Sequence, residues 1–224
     1  MLTIHDLSFG YGQSLVIDNL RWELEPGAVH GLVGMNGAGK TTLFKLISGS
    51  LKFSAGSISA LPEPFRFSDC GFMETQTVFY PMLTGMEYLK IFQLKNSKFK
   101  IEEWNQVFRL PLNDVIDNYS TGMQKKLSLM GIIALNRQFL ILDEPFNGLD
   151  FESVRLTRKI LRKLAENGQT IIVSSHIPET LTSLCDTLSM ISKGKIEFKI
   201  REEEFSRFEN LTDNMLENEV LPEI

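Results

Sequence analysis

Gly34-Met35-Asn36-Gly37-Ala38-Gly39-Lys40-Thr41 is the stretch on which the reading of this chain turns. Its spacing is G-x-x-x-x-G-K-[ST], that of a loop wrapped around phosphate. His30-Gly31-Leu32-Val33 precedes it, a short apolar run fit for a buried strand. Thr42-Leu43-Phe44-Lys45-Leu46-Ile47-Ser48 follows with helical spacing, and Gly49 suits a left-handed helix end. Strand, loop and helix are the context the motif needs. Gly34, Gly37 and Gly39 have no Cβ, so backbone N–H groups can curl around an anion there. The helix opening near Lys40 aims its positive end at the same point. The Lys40 ammonium reaches terminal phosphates, and the Thr41 hydroxyl suits Mg²⁺. A plain Gly-rich turn with a solvated lysine is the competing reading, and the flanking strand and helix weigh against it.

Two further apolar runs end in chemistry. Phe139-Leu140-Ile141-Leu142 reads as a strand buried on both faces of a parallel sheet, closed by Asp143-Glu144. Parallel sheets place ligands at that end of their strands. One carboxylate there can hold Mg²⁺ and its neighbour can take a proton from water. A turn or a helix cap is the plainer use of two such acids. Thr170-Ile171-Ile172-Val173 is a second buried strand, closed by Ser174-Ser175-His176. His176 could polarise water or contact a γ-phosphate. Taken alone it is as well read as structural, which is how His5 and His30 are read.

The chain has 224 residues, is 43% hydrophobic and carries a net charge of −5. That suits one α/β domain with room for a subdomain, and the charge disfavours a nucleic-acid partner. Charge is uneven: residues 201–224 hold eight acids against Arg201 and Arg207. Cys70 and Cys185 are far apart and read as free thiols in a reducing compartment. No apolar stretch reaches bilayer length, and no leader pattern opens the chain. Leu2 to Phe9 and Val16 to Leu24 alternate as half-exposed antiparallel strands around a turn at Gly10-Tyr11-Gly12. Ser57 to Ala60 and Cys70 to Met73 are further strand candidates. From about 76 to 136 the period is helical, with Tyr88, Leu89 and Phe92 on one face, Trp104, Val107 and Phe108 on another, and Leu127, Met130 and Ala134 on a third. Val154 to Leu164 is a helix ended by Asn167-Gly168. Lys193-Gly194 marks a hairpin between Leu188–Ile191 and Lys195–Ile200. Phe205, Phe208, Leu211 and Met215 keep helical spacing in the acidic tail.

From Met1 to about Ile200 the chain resembles the nucleotide-binding subunits of ABC transporters. Gly34 to Thr41 is similar to their Walker A, and Phe139 to Glu144 to Walker B with its following glutamate. Tyr119-Ser120-Thr121-Gly122-Met123-Gln124 resembles the signature written LSGGQ. Asn147-Gly148-Leu149-Asp150 resembles the D-loop and His176 the switch histidine, and Tyr11 stands where an aromatic residue stacks on adenine. The signature departs from its written form at Met123, and similar Ser-x-Gly-Met forms occur in drug, bacteriocin and ABC-2 exporter subunits. The Q-loop glutamine is ambiguous. Its expected position holds Thr75, and Gln76 comes one place late.

The resemblance implies an α/β P-loop NTPase with a RecA-like parallel sheet. An antiparallel β subdomain and an inserted α-helical signature subdomain complete a domain of residues 1–200, with 201–224 as an acidic helical tail. It implies ATP and Mg²⁺ as ligands, with Lys40, Thr41, Thr42 and the backbone of Met35, Asn36 and Ala38 on the phosphates. Thr41, Asp143 and, with the ambiguity noted, Gln76 would surround the metal. Glu144 would be the catalytic base and His176 the γ-phosphate sensor. Ser120, Gly122, Met123 and Gln124 would complete the site from a second copy or a related subunit, with Asp150 in the D-loop. Ser120 also suits a helix N-cap, and Lys125-Lys126 the start of a solvated face. The implied activity is ATP hydrolysis, powering export through a separate membrane permease that seats a coupling helix near Thr75 to Met86. The implied location is cytoplasmic, on the inner face of the membrane. The alternative is an ABC-type ATPase working as a soluble mechanical clamp. A kinase or GTPase shares the loop, but the Ser120 signature and His176 speak against it.

Overall fold

The computed structural model describes residues 1–208 and 211. The two buried apolar runs are the middle of a six-stranded sheet. β1 (Leu2–Tyr11), β2 (Ser14–Leu24) and β4 (Ala55–Ala60) form a separate antiparallel sheet in the order β2-β1-β4. The larger sheet contains β3 (Val29–Val33), β5 (Cys70–Met73), β6 (Phe139–Leu142), β7 (Thr170–Ser175), β8 (Thr187–Ser192) and β9 (Lys195–Arg201). Its order is β5-β6-β7-β3-β8-β9. All neighbours are parallel except β8 and β9, which form the Lys193-Gly194 hairpin. Helices α1 (Lys40–Ile47), α2 (Gly85–Gln93), α3 (Ile101–Phe108), α4 (Thr121–Ala134), α5 (Phe151–Glu166) and the single turn α6 (Glu179–Thr182) complete the fold. Helices α2 to α4 are inserted between β5 and β6.

The continuous apolar runs follow from the layering. Successive side chains on a strand face opposite sides of a sheet. In β6, Leu140 and Leu142 join one core while Phe139 and Ile141 join the other. In β7, Ile171 and Val173 join the first and Ile172 the second. The first core contains α5 and the helical insert, and the second contains α1 and the antiparallel sheet. Both faces are covered, so no position on these strands is free to be polar without a partner. Burying each such side chain contributes about 1.5–3 kcal/mol. Trp22 ties the two sheets by donating its indole N–H to the Ser189 hydroxyl at 2.8 Å.

One local expectation needs correction. The turn between β1 and β2 falls at Gly12-Gln13, and Gly10 and Tyr11 belong to β1. The twisted ladder continues because Tyr11 pairs with Ser14 across a two-residue loop. The acidic tail begins with a 3₁₀ helix over Glu202–Arg207, and Phe208 and Leu211 are helical. Phe205, Phe208 and Leu211 pack on the first core, and Phe208 meets Phe198 edge to face at 5.5 Å. Met215 and the rest of the expected tail helix lie outside the described residues. His30 is buried in β3 between Thr187 Oγ1 at 2.8 Å and the Glu25 carbonyl at 2.9 Å. Burial holds its pKa below the usual imidazole value, as suits a structural histidine.

Candidate functional site

Strand ends converge to make the site. β3 ends at Val33, and the chain turns through the glycine loop into α1. Beside it, β7 delivers Ser174, Ser175 and then His176, and beyond β7, β6 delivers Asp143 and Glu144. A cleft of about 340 Å³ opens there, between the loop, Thr41, Thr75, Asp143, Glu144 and His176. Met35, Asn36, Gly37, Gly39, Lys40 and Thr42 line its other wall.

The loop has its shape because its glycines have no side chain. A Cβ on Gly34 would stand 2.6 Å from the Ile191 carbonyl, so the loop lies directly against β8. Gly37 sits at φ 82°, in the left-handed region. Ala38 donates its N–H to Met35 O at 3.2 Å and accepts from Gly194 N–H at 3.3 Å, which docks the loop on the β8–β9 hairpin. Gly39 caps α1 with no side-chain hydrogen bond, and the first turn contains no acid. The first N–H groups of α1 therefore point at the cleft as an anion site.

Lys40 is buried, and its ammonium donates to the carbonyls of Gly34 at 2.6 Å and Met35 at 3.2 Å. It lies 3.8 Å from Glu144 Oε1. Burial lowers its pKa below 10.5, with Glu144 and Asp143 pulling the other way. Asp143 is fully buried and gathers three hydroxyls. Thr41 Oγ1 donates to Oδ2 at 2.6 Å, Thr75 Oγ1 to the same atom at 2.7 Å, and Ser174 Oγ to Oδ1 at 2.5 Å. Hard oxygen donors around one carboxylate, beside a phosphate loop, fit Mg²⁺. Glu144 faces His176, whose Nδ1 lies 3.1 Å from both carboxylate oxygens.

The structure separates Thr75 from Gln76. Thr75 stands on Asp143 in the cleft and also borders a neighbouring cavity of about 220 Å³, whereas Gln76 is exposed and lines only that second cavity, with Thr121, Gln124 and Lys125. Of the two, Thr75 is the one whose side chain meets Asp143. β5 ends at Met73 and the chain bends at Thr75 and Gln76, with Thr75 turned to Asp143 and Gln76 exposed. Tyr11 ends β1 half-exposed, edge-on to Phe9 at 4.9 Å, and does not line the cleft.

Ser120, Gly122, Met123 and Gln124 lie at the start of α4, outside the cleft. Ser120 is exposed and caps α4, its Oγ accepting from Met123 N–H at 3.3 Å. Met123 packs against the first core. Asp150 caps α5, accepting from Ser153 N–H at 2.8 Å, and those bonds lower its pKa. The expected solvated face at Lys125-Lys126 is wrong for Lys125, which is buried with its ammonium on the Glu144 carbonyl at 2.6 Å. Lys125 shares a helix face with buried Leu129 four residues on, but its partner, the Glu144 carbonyl, lies nineteen residues away and leaves no mark on the local spacing. Ser174 was visible only as the end of an apolar run. Its role in orienting both acids comes from Oγ, which also accepts from Glu144 N–H at 2.9 Å.

A glycine loop on a parallel sheet, with an acid pair at the end of β6 across the intervening β7, defines a P-loop nucleoside-triphosphate-binding protein. A family profile described as ABC transporter matches residues 17–147. The ABC transporter ATP-binding protein YhaQ of Bacillus subtilis is 31% identical over 215 residues, 90% of this chain and 72% of that one. The lantibiotic transport ATP-binding protein SrtF of Streptococcus pyogenes is 30% identical over 99% of this chain and 98% of its own. The bacitracin transport ATP-binding protein BcrA of Enterococcus faecalis is 31% identical over 88% of this chain and 68% of its own. A solved ATP-binding subunit of an ABC transporter superposes with a TM-score of 0.85 at 25% identity, over 97% of this chain and 98% of that one. A dimeric ATP-binding cassette in a post-hydrolysis state with ADP and Pi shares the fold, with a TM-score of 0.78 at 18% identity over 90% and 99%. The chain belongs to the ABC transporter family, among its ATP-binding subunits.

Proposed function

We propose that this subunit hydrolyses ATP and drives export through a separate membrane permease. One observation supports it most: Lys40, Thr41, Asp143, Glu144 and His176 share one cleft although they come from three strand ends. The triphosphate would take the N–H groups of the loop and of α1, and Lys40 would turn from the carbonyls of Gly34 and Met35 to the terminal phosphates. Thr41, Asp143 and Thr75 would hold Mg²⁺, which offsets charge on the phosphates when bound. Glu144 would take a proton from water attacking the γ-phosphorus as the bond to ADP breaks. His176, against that carboxylate, would hold Glu144 and contact the γ-phosphate.

The chain would work as a pair, with a second copy or a related subunit bringing Ser120 and Gly122 to this nucleotide, and Met123, Gln124 and Asp150 beside them. An exposed, capped α4 tip supports this, since orphan N–H groups there suit an anion. ATP would favour the closed pair and hydrolysis the open one. Tyr11 would stack on adenine. The export reading rests on the lantibiotic and bacitracin transport relatives, which also favour transport over a soluble clamp. Val78, Tyr80 and Met82 are exposed beside α2 and would suit a permease coupling helix, and through that permease the subunit would sit on the inner membrane face. No helix among the described residues is long and apolar enough to cross a membrane. Residues 1–200 would form the ATPase domain, with a helical subdomain over about 76–136 and residues 201–224 as an acidic tail.

Glu144→Gln tests the reading. It should trap an ATP-bound dimer on a sizing column with turnover lost. A variant that stays monomeric with ATP and keeps full turnover refutes the base role and the ATP-held pair together.

A further inference from the structure

Glu144 has an unusual backbone. Its φ is 50°, in the left-handed region, and Pro145 follows it. That region costs a residue with a Cβ about 1–2 kcal/mol, and a following proline restricts it further. Such a conformation persists only where its surroundings hold it. Here the holding groups can be named. The Glu144 N–H donates to Ser174 Oγ at 2.9 Å. The Glu144 carbonyl accepts from Asn147 N–H at 3.3 Å and from Lys125 Nζ at 2.6 Å. The lysine bond is the shortest of the three and the only one that brings a full charge.

Lys125 is an expensive residue to place there. It is 6% exposed, and burial lowers its pKa, with Glu144 and Asp143 opposing. An ammonium withdrawn from water and given a carbonyl contributes little to stability by itself. Its geometry has a consequence for the cleft, however. With the Glu144 peptide fixed at both ends, its carboxylate points at His176 Nδ1, 3.1 Å away, and stands 3.8 Å from Lys40.

The reach of Lys125 is itself set by packing at the tip of α4. A Cβ on Gly122 would lie 3.1 Å from the Gly148 carbonyl, and one on Gly148 would lie 3.3 Å from Thr121 Cγ2. The helix tip and the segment after Glu144 are thus in close contact, and α4 cannot shift without moving both ends of the lysine bond. Ser120 caps this same helix.

We infer that Lys125 is a positioning residue for hydrolysis: carried on α4, its ammonium holds the Glu144 main chain in the left-handed form and so aims the Glu144 carboxylate into the nucleotide cleft. The inference rests on the proposed role of Glu144 as base. It has a further content, because α4 carries Ser120 to the other nucleotide of the pair. The state of one nucleotide is then felt, through a single rigid helix, at the base that acts on the other.

The test uses K125M and K125R in the full chain. Methionine keeps the stem and removes the donors, whereas arginine keeps donors at the same end. Steady-state ATP turnover, nucleotide titration and the thermal midpoint are measured on each. K125M should lose about ten- to hundredfold in kcat, the scale of a misplaced catalytic group. Its KM for ATP and its ATP affinity should stay within about twofold. K125R should recover most of the lost kcat. The inference is overturned if K125M keeps kcat within about twofold. It is equally overturned if kcat, affinity and thermal midpoint fall together and alike in both variants, which is what a purely structural lysine would do. A crystal structure of K125M gives a readout independent of turnover. Glu144 should leave its positive φ, with its carboxylate off His176; an unchanged Glu144 overturns the inference. Should the unsubstituted protein fail to hydrolyse ATP, the proposed function fails, and the K125M structure still decides the positioning.

Discussion

Gly34→Ala is the substitution whose effect the structure defines most sharply. Its added Cβ would stand 2.6 Å from Ile191 O and 2.7 Å from Ile191 Cγ2, where ordinary contact begins at 3.4 Å. The carbonyl belongs to β8, which is paired on one side with β3 and on the other with β9. That backbone is held by two ladders and does not yield, so the loop must lift by roughly 1 Å. Overpacking of this kind costs about 1–3 kcal/mol, or a few degrees in thermal midpoint for a chain of this size. The lift also moves Gly34 O, which holds Lys40 at 2.6 Å, and spoils the N–H cage. Each charge-assisted hydrogen bond lost costs about 1.5–3 kcal/mol, so for one such bond ATP affinity should fall about ten- to 150-fold. Gly168→Ala is the control. Gly168 sits at φ 95° after α5 with nothing within 4 Å of its would-be Cβ. It should lose about 1–2 kcal/mol of stability through its backbone and no ATP affinity. Calorimetric titration with ATP separates the two. If G34A binds ATP within about twofold of the unsubstituted protein, the loop does not grip phosphate as described.

Thr75→Ala should weaken the Mg²⁺ dependence of ATP turnover more than Gln76→Ala, because of these two residues Thr75 is the one that bonds Asp143; equal effects would remove Thr75 from the metal. Tyr11→Ala should weaken ATP more than inorganic triphosphate, and equal losses in parallel titrations would make Tyr11 packing alone. The Lys40 pKa lies below 10.5 in the free protein through burial, and a bound triphosphate raises it again. Binding therefore takes up protons as pH nears that lowered value, and ATP affinity should fall with rising pH before 10.5 is reached. The same depression means that the unliganded fold carries the burial penalty of the charged lysine below its folded pKa and sheds it as pH rises toward the unfolded one. Titration in buffers of different ionisation enthalpy measures the uptake. Affinity flat through that range would place Lys40 away from the phosphates.

The central sheet was legible because β3, β6 and β7 are buried on both faces, which writes an uninterrupted apolar run. The glycine loop was legible because its residue types are forced by contact: an alanine at 34 meets β8. What escaped depended on partners distant in sequence. Lys125 looks like any lysine of a surface helix until Glu144, nineteen positions later, turns its carbonyl toward it. Ser174 looked like the end of a strand until Asp143 and Glu144 were placed beside it. The choice between Thr75 and Gln76 needed the direction in which the chain leaves β5, which spacing does not record. Tyr11 was placed in a turn because Gly10 and Gly12 flank it, yet the ladder to Ser14 carries the strand through it.

The central claim is that one copy of this chain grips a triphosphate with the glycine loop and a second closes over it with the tip of α4. A crystal structure of E144Q with ATP and Mg²⁺ tests it most directly. The account predicts the Lys40 ammonium on the terminal phosphates, Thr41 and Asp143 at the metal, and Ser120 of the partner subunit within hydrogen-bonding distance of the γ-phosphate. Phosphates lying away from Lys40, or a closed pair with the partner subunit's Ser120 turned to solvent, would contradict it.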